Sequence, residues 1–130
     1  MLKLKEMTQV PCEAYSPLEF RHGPISTVEA GSLAVLLASD RAGEQERKVL
    51  RDIRNLGGKV LYVGGEAPES DFACAAGVML PAAARLLLHM PLLQFMAYYR
   101  AMALDRDPDR PQHLTQVVTL DEQDLVREGA

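Results

Sequence analysis

At 130 residues, 48% hydrophobic and 25% charged, the chain has the size and apolar content of one globular domain with a core of its own. A net charge of −4, with Lys and Arg scattered and not striped, argues against a nucleic-acid or membrane-surface partner, either of which wants a basic footprint. Cys12 and Cys74 lie far apart without histidines or carboxylates at ligand spacing, so no metal, cofactor or disulfide framework is expected and a reduced, cytoplasmic protein is.

Residues 1–8 read as the tail of a preceding helix that starts abruptly, since nothing caps Leu2. Met1 to Glu6 lacks the apolar core of a signal peptide. Gln9 to Tyr15 is a short strand candidate interrupted by Pro11, which suits an edge or an irregular entry. Ser16 and Glu19 then stand at capping-box spacing, with Pro17 at the first helical position, where its missing N–H costs nothing. Gly23 and Pro24 end that helix, predicting it over 17–22 with His22 beside the chain reversal.

Ser32 to Ser39 is a continuous apolar run of strand length, the pattern of a parallel strand covered on both faces. The period then changes. Val49, Leu50, Ile53 and Leu56 recur at helical spacing until Gly57-Gly58, predicting a helix over 41–56. On its outer face Lys48 is spaced to pair with Glu44 and Asp52. Lys59 to Gly64 is the next strand, a small and acidic loop follows over 66–76, and a further short strand is expected at Val78 to Leu80.

Ala82 to Leu104 reads as one helix, or two joined at Pro91, apolar on nearly every side. Such a helix must be covered on several faces, which points to a buried position or a subunit interface and so to a dimer. His89 is expected as a satisfied core or interface residue, and Tyr98 and Tyr99 as packing residues. The window is too short and too polar for a membrane span. The polar segment from Asp105 to Pro111 is stiffened by two prolines, and 112–120 reads as a turn with a docked tail. Strand, helix, strand and a return to a strand is the rhythm of an α/β fold with a mostly parallel sheet. There is no glycine-rich phosphate loop and no internal repeat.

Three features in order, Leu2-Lys3-Leu4-Lys5-Glu6, Glu19-Phe20-Arg21-His22-Gly23-Pro24 and Asp107-Pro108-Asp109-Arg110-Pro111-Gln112-His113-Leu114, resemble the sugar isomerase (SIS) domain family. They are most similar to the C-terminal SIS subdomain of the glucosamine-6-phosphate synthases and to the related ketose/aldose isomerases and glucosamine-6-phosphate deaminases. The resemblance covers about residues 2–120 and implies a three-layer αβα, flavodoxin-like subdomain over 9–120, with 121–130 as a C-terminal tail. It implies that Glu6 matches the glutamate that shuttles a proton between two sugar carbons. His22 matches the histidine that helps open the sugar ring, often from a neighbouring subunit. Isomerisation between keto and aldehyde sugars needs a carboxylate beside the C–H and a proton donor at the ring oxygen.

Arg21, Glu19, His113 and Gln116 are the implied substrate contacts. Two features depart from the family pattern. Gln116 stands where the synthases carry a lysine able to form a Schiff base, and an amide cannot be that nucleophile. The Ser/Thr-rich phosphate loop of a first SIS subdomain is missing. The expected function is therefore a sugar-phosphate or amino-sugar-phosphate binding half of an isomerase, deaminase or aminotransferase-like enzyme, inactive without a first subdomain. The alternative is a non-catalytic binding or dimerisation module, or a truncated remnant.

Overall fold

The computed structural model describes residues 1–39 and 43–114. Three strands, β1 (Leu33–Leu37), β2 (Lys59–Val63) and β3 (Phe72–Cys74), form a parallel sheet in the order β1-β2-β3. Four α-helices accompany them: α1 (Leu2–Thr8), α2 (Pro17–Phe20), α3 (Gly43–Asn55) and α4 (Ala82–Ala103). The fold is α/β, as the alternation of apolar runs and helical periods predicts.

The crossover from β1 to β2 runs through α3, whose apolar stripe closes the larger core. Val49, Leu50 and Ile53 pack with Leu36, Val60 and Ala67, flanked by Phe20, Val28, Ala34 and Tyr62. Leu50 and Val60 are fully buried. Gly57 ends α3 in the left-handed conformation (φ 90°). The Gly57 and Gly58 N–H groups return to the carbonyls of Arg54 and Ile53 at 2.9 and 3.1 Å, the closing pattern in which glycine is favoured. Gly58 is needed for a second reason: a Cβ there would lie 2.8 Å from Val28 Cγ1 and 2.9 Å from Ile53 Cγ2.

Several expectations are corrected. The stretch from Gln9 to Tyr15 is irregular and not a strand: Pro11 lacks a donor, and the Val10 N–H is taken by the Thr8 hydroxyl at 3.2 Å. The capped helix stops at Phe20 and not at His22, and Pro24 opens a 3-10 turn, Pro24–Thr27. The third strand is Phe72–Cys74, inside the segment expected as a loop, whereas Val78 to Leu80 is exposed turn. Asp71 explains that shift of register. Its carboxylate accepts from the Val60 N–H at 3.0 Å and pairs with Lys59 at 2.9 Å, anchoring the entry of β3 beside β2. The pairs expected for Lys48 are replaced: Glu44 binds Arg51 at 2.6 Å and Asp52 binds Arg21 at 2.9 Å, since arginine's longer fork spans two turns and reaches between helices. β1 is not covered on both faces, with Leu33 half exposed.

α4 is one continuous helix despite Pro91. Its chief partner is α1 and not the sheet. Ala97 and Ala101, at 1% and 0% exposure, receive Met7 and Leu4 in a second, smaller core. Arg85 and His89 are buried too, and neither ring nitrogen of His89 has a hydrogen-bond partner among the described residues, so of the two expected settings the core within this chain does not satisfy it. Leu86, Leu87, Met90, Phe95, Tyr98, Tyr99 and Met102 remain exposed. Tyr99 stacks on Phe95 and meets Tyr98 edge-on, with ring centroids 6.4 and 5.4 Å apart. No helix among the described residues is long and apolar enough to cross a membrane.

Candidate active site

The small core decides where Glu6 goes. Leu4 and Met7 face α4, and Thr8, buried completely, returns its hydroxyl to the Leu4 carbonyl at 2.6 Å. Glu6, one position before Met7, is thereby turned to the rim of that contact, where it is half-buried. There it lines a cleft of about 130 Å³ with Gln9 and, from the far end of the chain, Asp105, Arg106, Asp107, Arg110, Pro111 and Gln112.

The distal wall is built by the end of α4. The Asp105 N–H reaches the Met102 carbonyl at 3.1 Å and the Arg106 N–H reaches that of Ala101 at 3.0 Å. This is the double bond of a helix end that turns through a left-handed residue. That residue is Asp105, at φ 55°. Beyond it the Asp107 carboxylate accepts the Asp109 N–H at 2.9 Å, and Pro108 and Pro111 limit the remaining freedom. Asp105, Gln9 (φ 52°) and His113 (φ 64°) are the non-glycine residues with positive φ among the described residues. Two line the cleft and the third follows Gln112. Non-glycine residues held in this conformation cost free energy and concentrate where function needs them.

Three carboxylates and two guanidinium groups thus share one cleft. Arg106 Nη1 donates to Gln9 Oε1 at 2.7 Å, while no ion pair among the described residues engages Arg110. Such a cleft can offer a carboxylate as proton acceptor beside a guanidinium able to meet an anion or a hydroxyl.

The other expected contacts lie elsewhere. His22 is exposed and is not among the residues lining the Glu6 cleft; its N–H donates to the Glu19 carbonyl at 3.0 Å. Glu19 completes the cap of α2, its N–H bound to Ser16 Oγ at 3.3 Å. Arg21 ties the end of α2 to Asp52 of α3. His113 is exposed directly after Gln112. Gln116 lies outside the described residues. A larger, open depression of about 280 Å³ runs along residues 66–73 and holds none of the six expected residues.

Gln9, Arg106 and Arg110 carry the cleft without having been singled out by the sequence reading. Arg110 stood inside a recognised motif without an assigned role. For Gln9 and Arg106, 97 positions apart, no local pattern exists that could have joined them. Among the described residues no group of three or more His, Cys, Asp or Glu forms a metal cluster.

No protein-family model matches the chain. It is 34% identical over 126 residues to glutamine–fructose-6-phosphate aminotransferase (isomerizing) of Pyrobaculum aerophilum, covering 92% of this chain and 21% of that protein. It is 35% identical over 127 residues to the same enzyme of Acidithiobacillus ferridurans, covering 92% and 20%. The chain therefore spans about a fifth of the length of the curated relatives it matches. Among solved structures it is similar to a glucosamine-6-phosphate deaminase of Thermotoga maritima, with a TM-score of 0.68 and 31% identity over 92% of this chain and 35% of that one. It is equally similar, at TM-score 0.68 and 25% identity, to the C-terminal domain of the Francisella tularensis aminotransferase, covering 84% of this chain and 32% of that one. Sequence and fold together uphold the resemblance to the sugar isomerase (SIS) family, with this chain a relative of the SIS portion of those aminotransferases.

Proposed function

We propose that this chain is a sugar-phosphate-binding SIS subdomain, one half of an isomerase, deaminase or aminotransferase-like enzyme of amino-sugar metabolism in the cytoplasm. Its ligand is a hexose 6-phosphate or its 2-amino analogue. The observation that carries the reading is the convergence of two of the three resembling motifs, some hundred residues apart, on the Glu6 cleft. In this role Glu6 moves the proton between the two reacting sugar carbons, taking it from one and returning it to the next through an enediol. The segment from Asp105 to His113 receives the sugar, with Arg110 as its cationic contact.

His22 serves the ring oxygen of a site completed by another subunit, which its absence from the Glu6 cleft favours. The exposed aromatic and aliphatic face of α4 provides the surface for homodimerisation. The phosphate is held by a first SIS subdomain, without which the chain binds but does not turn over. Supporting this are relatives named as isomerizing aminotransferases and a neighbour named as a glucosamine-6-phosphate deaminase.

A non-catalytic binding module is favoured by one specific feature, the amide of Gln116 in place of a Schiff-base lysine. Titration calorimetry with fructose 6-phosphate, glucose 6-phosphate and glucosamine 6-phosphate tests the reading. Binding weakened by Glu6→Gln and Arg110→Ala is expected, while wild-type chain that binds none of the three refutes it. Turnover by the isolated chain, abolished by His22→Ala, would instead refute the requirement for a first subdomain.

A further inference from the structure

We infer that the Gln9–Arg106 hydrogen bond is a clasp that positions Glu6: it locks the end of the Glu6 helix to the end of α4 and so sets the cleft between them. The inference rests on the functional reading above for its consequence, but not for its geometry. Both partners sit at helix ends that turn through a left-handed, non-glycine residue. Gln9 is itself that residue for α1, its N–H bound to the Lys5 carbonyl at 2.7 Å. Arg106 directly follows Asp105, the equivalent residue of α4, and its own N–H is held by Ala101. The backbone thus fixes the root of each side chain, and the 2.7 Å contact from Nη1 to Oε1 joins the two ends across 97 residues of sequence.

The small core turns Glu6 toward the rim of the cleft but does not by itself fix it there. Leu4 and Met7 meet Ala97 and Ala101 through apolar contact, which is non-directional and lets a seven-residue helix roll or slide. Such a roll would swing Glu6, which lies beside Met7, away from Asp107 and Arg110. A charge-assisted hydrogen bond is directional, and this one, exposed to solvent at the helix end, restricts that freedom. It also occupies Arg106, leaving Arg110 to meet a ligand. Gln9 and Arg106 are thus positioning residues that act through Glu6.

Gln9→Gly separates this role from a merely structural one, because glycine keeps the left-handed helix end and relieves its strain while the side chain that carries the acceptor is lost. The expected result with the full chain is a urea midpoint no lower than wild type, but amide exchange over 104–110 at least threefold faster and glucosamine 6-phosphate bound at least threefold more weakly. Arg106→Ala should reproduce both losses, and Gln9→Glu, which retains an acceptor for Arg106 but adds a negative charge to the cleft, should restore the exchange protection. Unchanged exchange over 104–110 in Gln9→Gly and Arg106→Ala overturns the clasp. Faster exchange with unchanged affinity overturns its positioning of Glu6. If wild-type chain binds no sugar phosphate, the functional reading fails, and the exchange rates of 4–10 and 104–110 still decide whether the clasp exists.

Discussion

Replacing Ala101 by leucine tests whether the α1–α4 joint is a unit separate from the sheet. Ala101 is fully buried and Ala97 is 1% exposed, so there is no room for three further carbons. Overpacking of this kind costs about 1–3 kcal/mol. Against it stands, beside the Gln9–Arg106 bond, the apolar hold on α1. A helix of seven residues does not persist alone, and near-complete burial of Met7 supplies roughly 2 kcal/mol, with about 1 more from the partly buried Leu4. A loss of about 2 kcal/mol lowers the docking equilibrium about 30-fold, which leaves about 1 kcal/mol and undocks α1 in roughly one molecule in six. The larger core of Leu36, Val49, Leu50, Ile53 and Val60 shares no buried residue with this joint. Ala101→Leu should therefore raise amide exchange over 2–9 by an order of magnitude and weaken sugar-phosphate binding, with the main urea transition nearly unmoved. A single transition displaced as far as that of a large-core truncation, with exchange raised uniformly, would refute the division into two cores.

Leu50→Ala is that truncation. With the side chain at 0% exposure, a loss of about 3 kcal/mol and a melting point lower by about 10 °C are expected in calorimetry. Gly58→Ala should cost about 1–3 kcal/mol by chemical denaturation, since the new methyl meets Val28 and Ile53 below 3 Å. Asp71 governs part of the acid limb. Its bond to Lys59, and next the Val60 N–H, hold its carboxyl below the ordinary value of 3.8. The folded state thus binds its proton less readily than the unfolded chain, and the stabilisation is complete above pH 3.8 and lost as pH falls below it. Asp71→Asn should lower stability at pH 7 and flatten the decline below pH 4. An unchanged acid limb in urea titrations at several pH values would show that Asp71 does not contribute.

The local elements were legible because their signals are local. The apolar run of β1, the stripe of Val49, Leu50 and Ile53, the cap made by Ser16 and Glu19, and the two glycines after α3 each fix structure within a few residues. The three motifs also announced the family. β3 was misplaced because what draws Phe72–Cys74 to the sheet is a side chain, that of Asp71, bonding the backbone and lysine of another strand. The lining of the cleft around Glu6 stayed hidden for the same reason. Glu6 and Arg110 become neighbours only when Met7 docks on Ala97 and Ala101, and Gln9 finds Arg106 only across two helix ends. By itself the sequence determined the elements, because propensity, capping and periodicity act over one or two turns. Tertiary structure alone decided which charges share a cleft, because packing brings together residues whose separation along the chain carries no pattern.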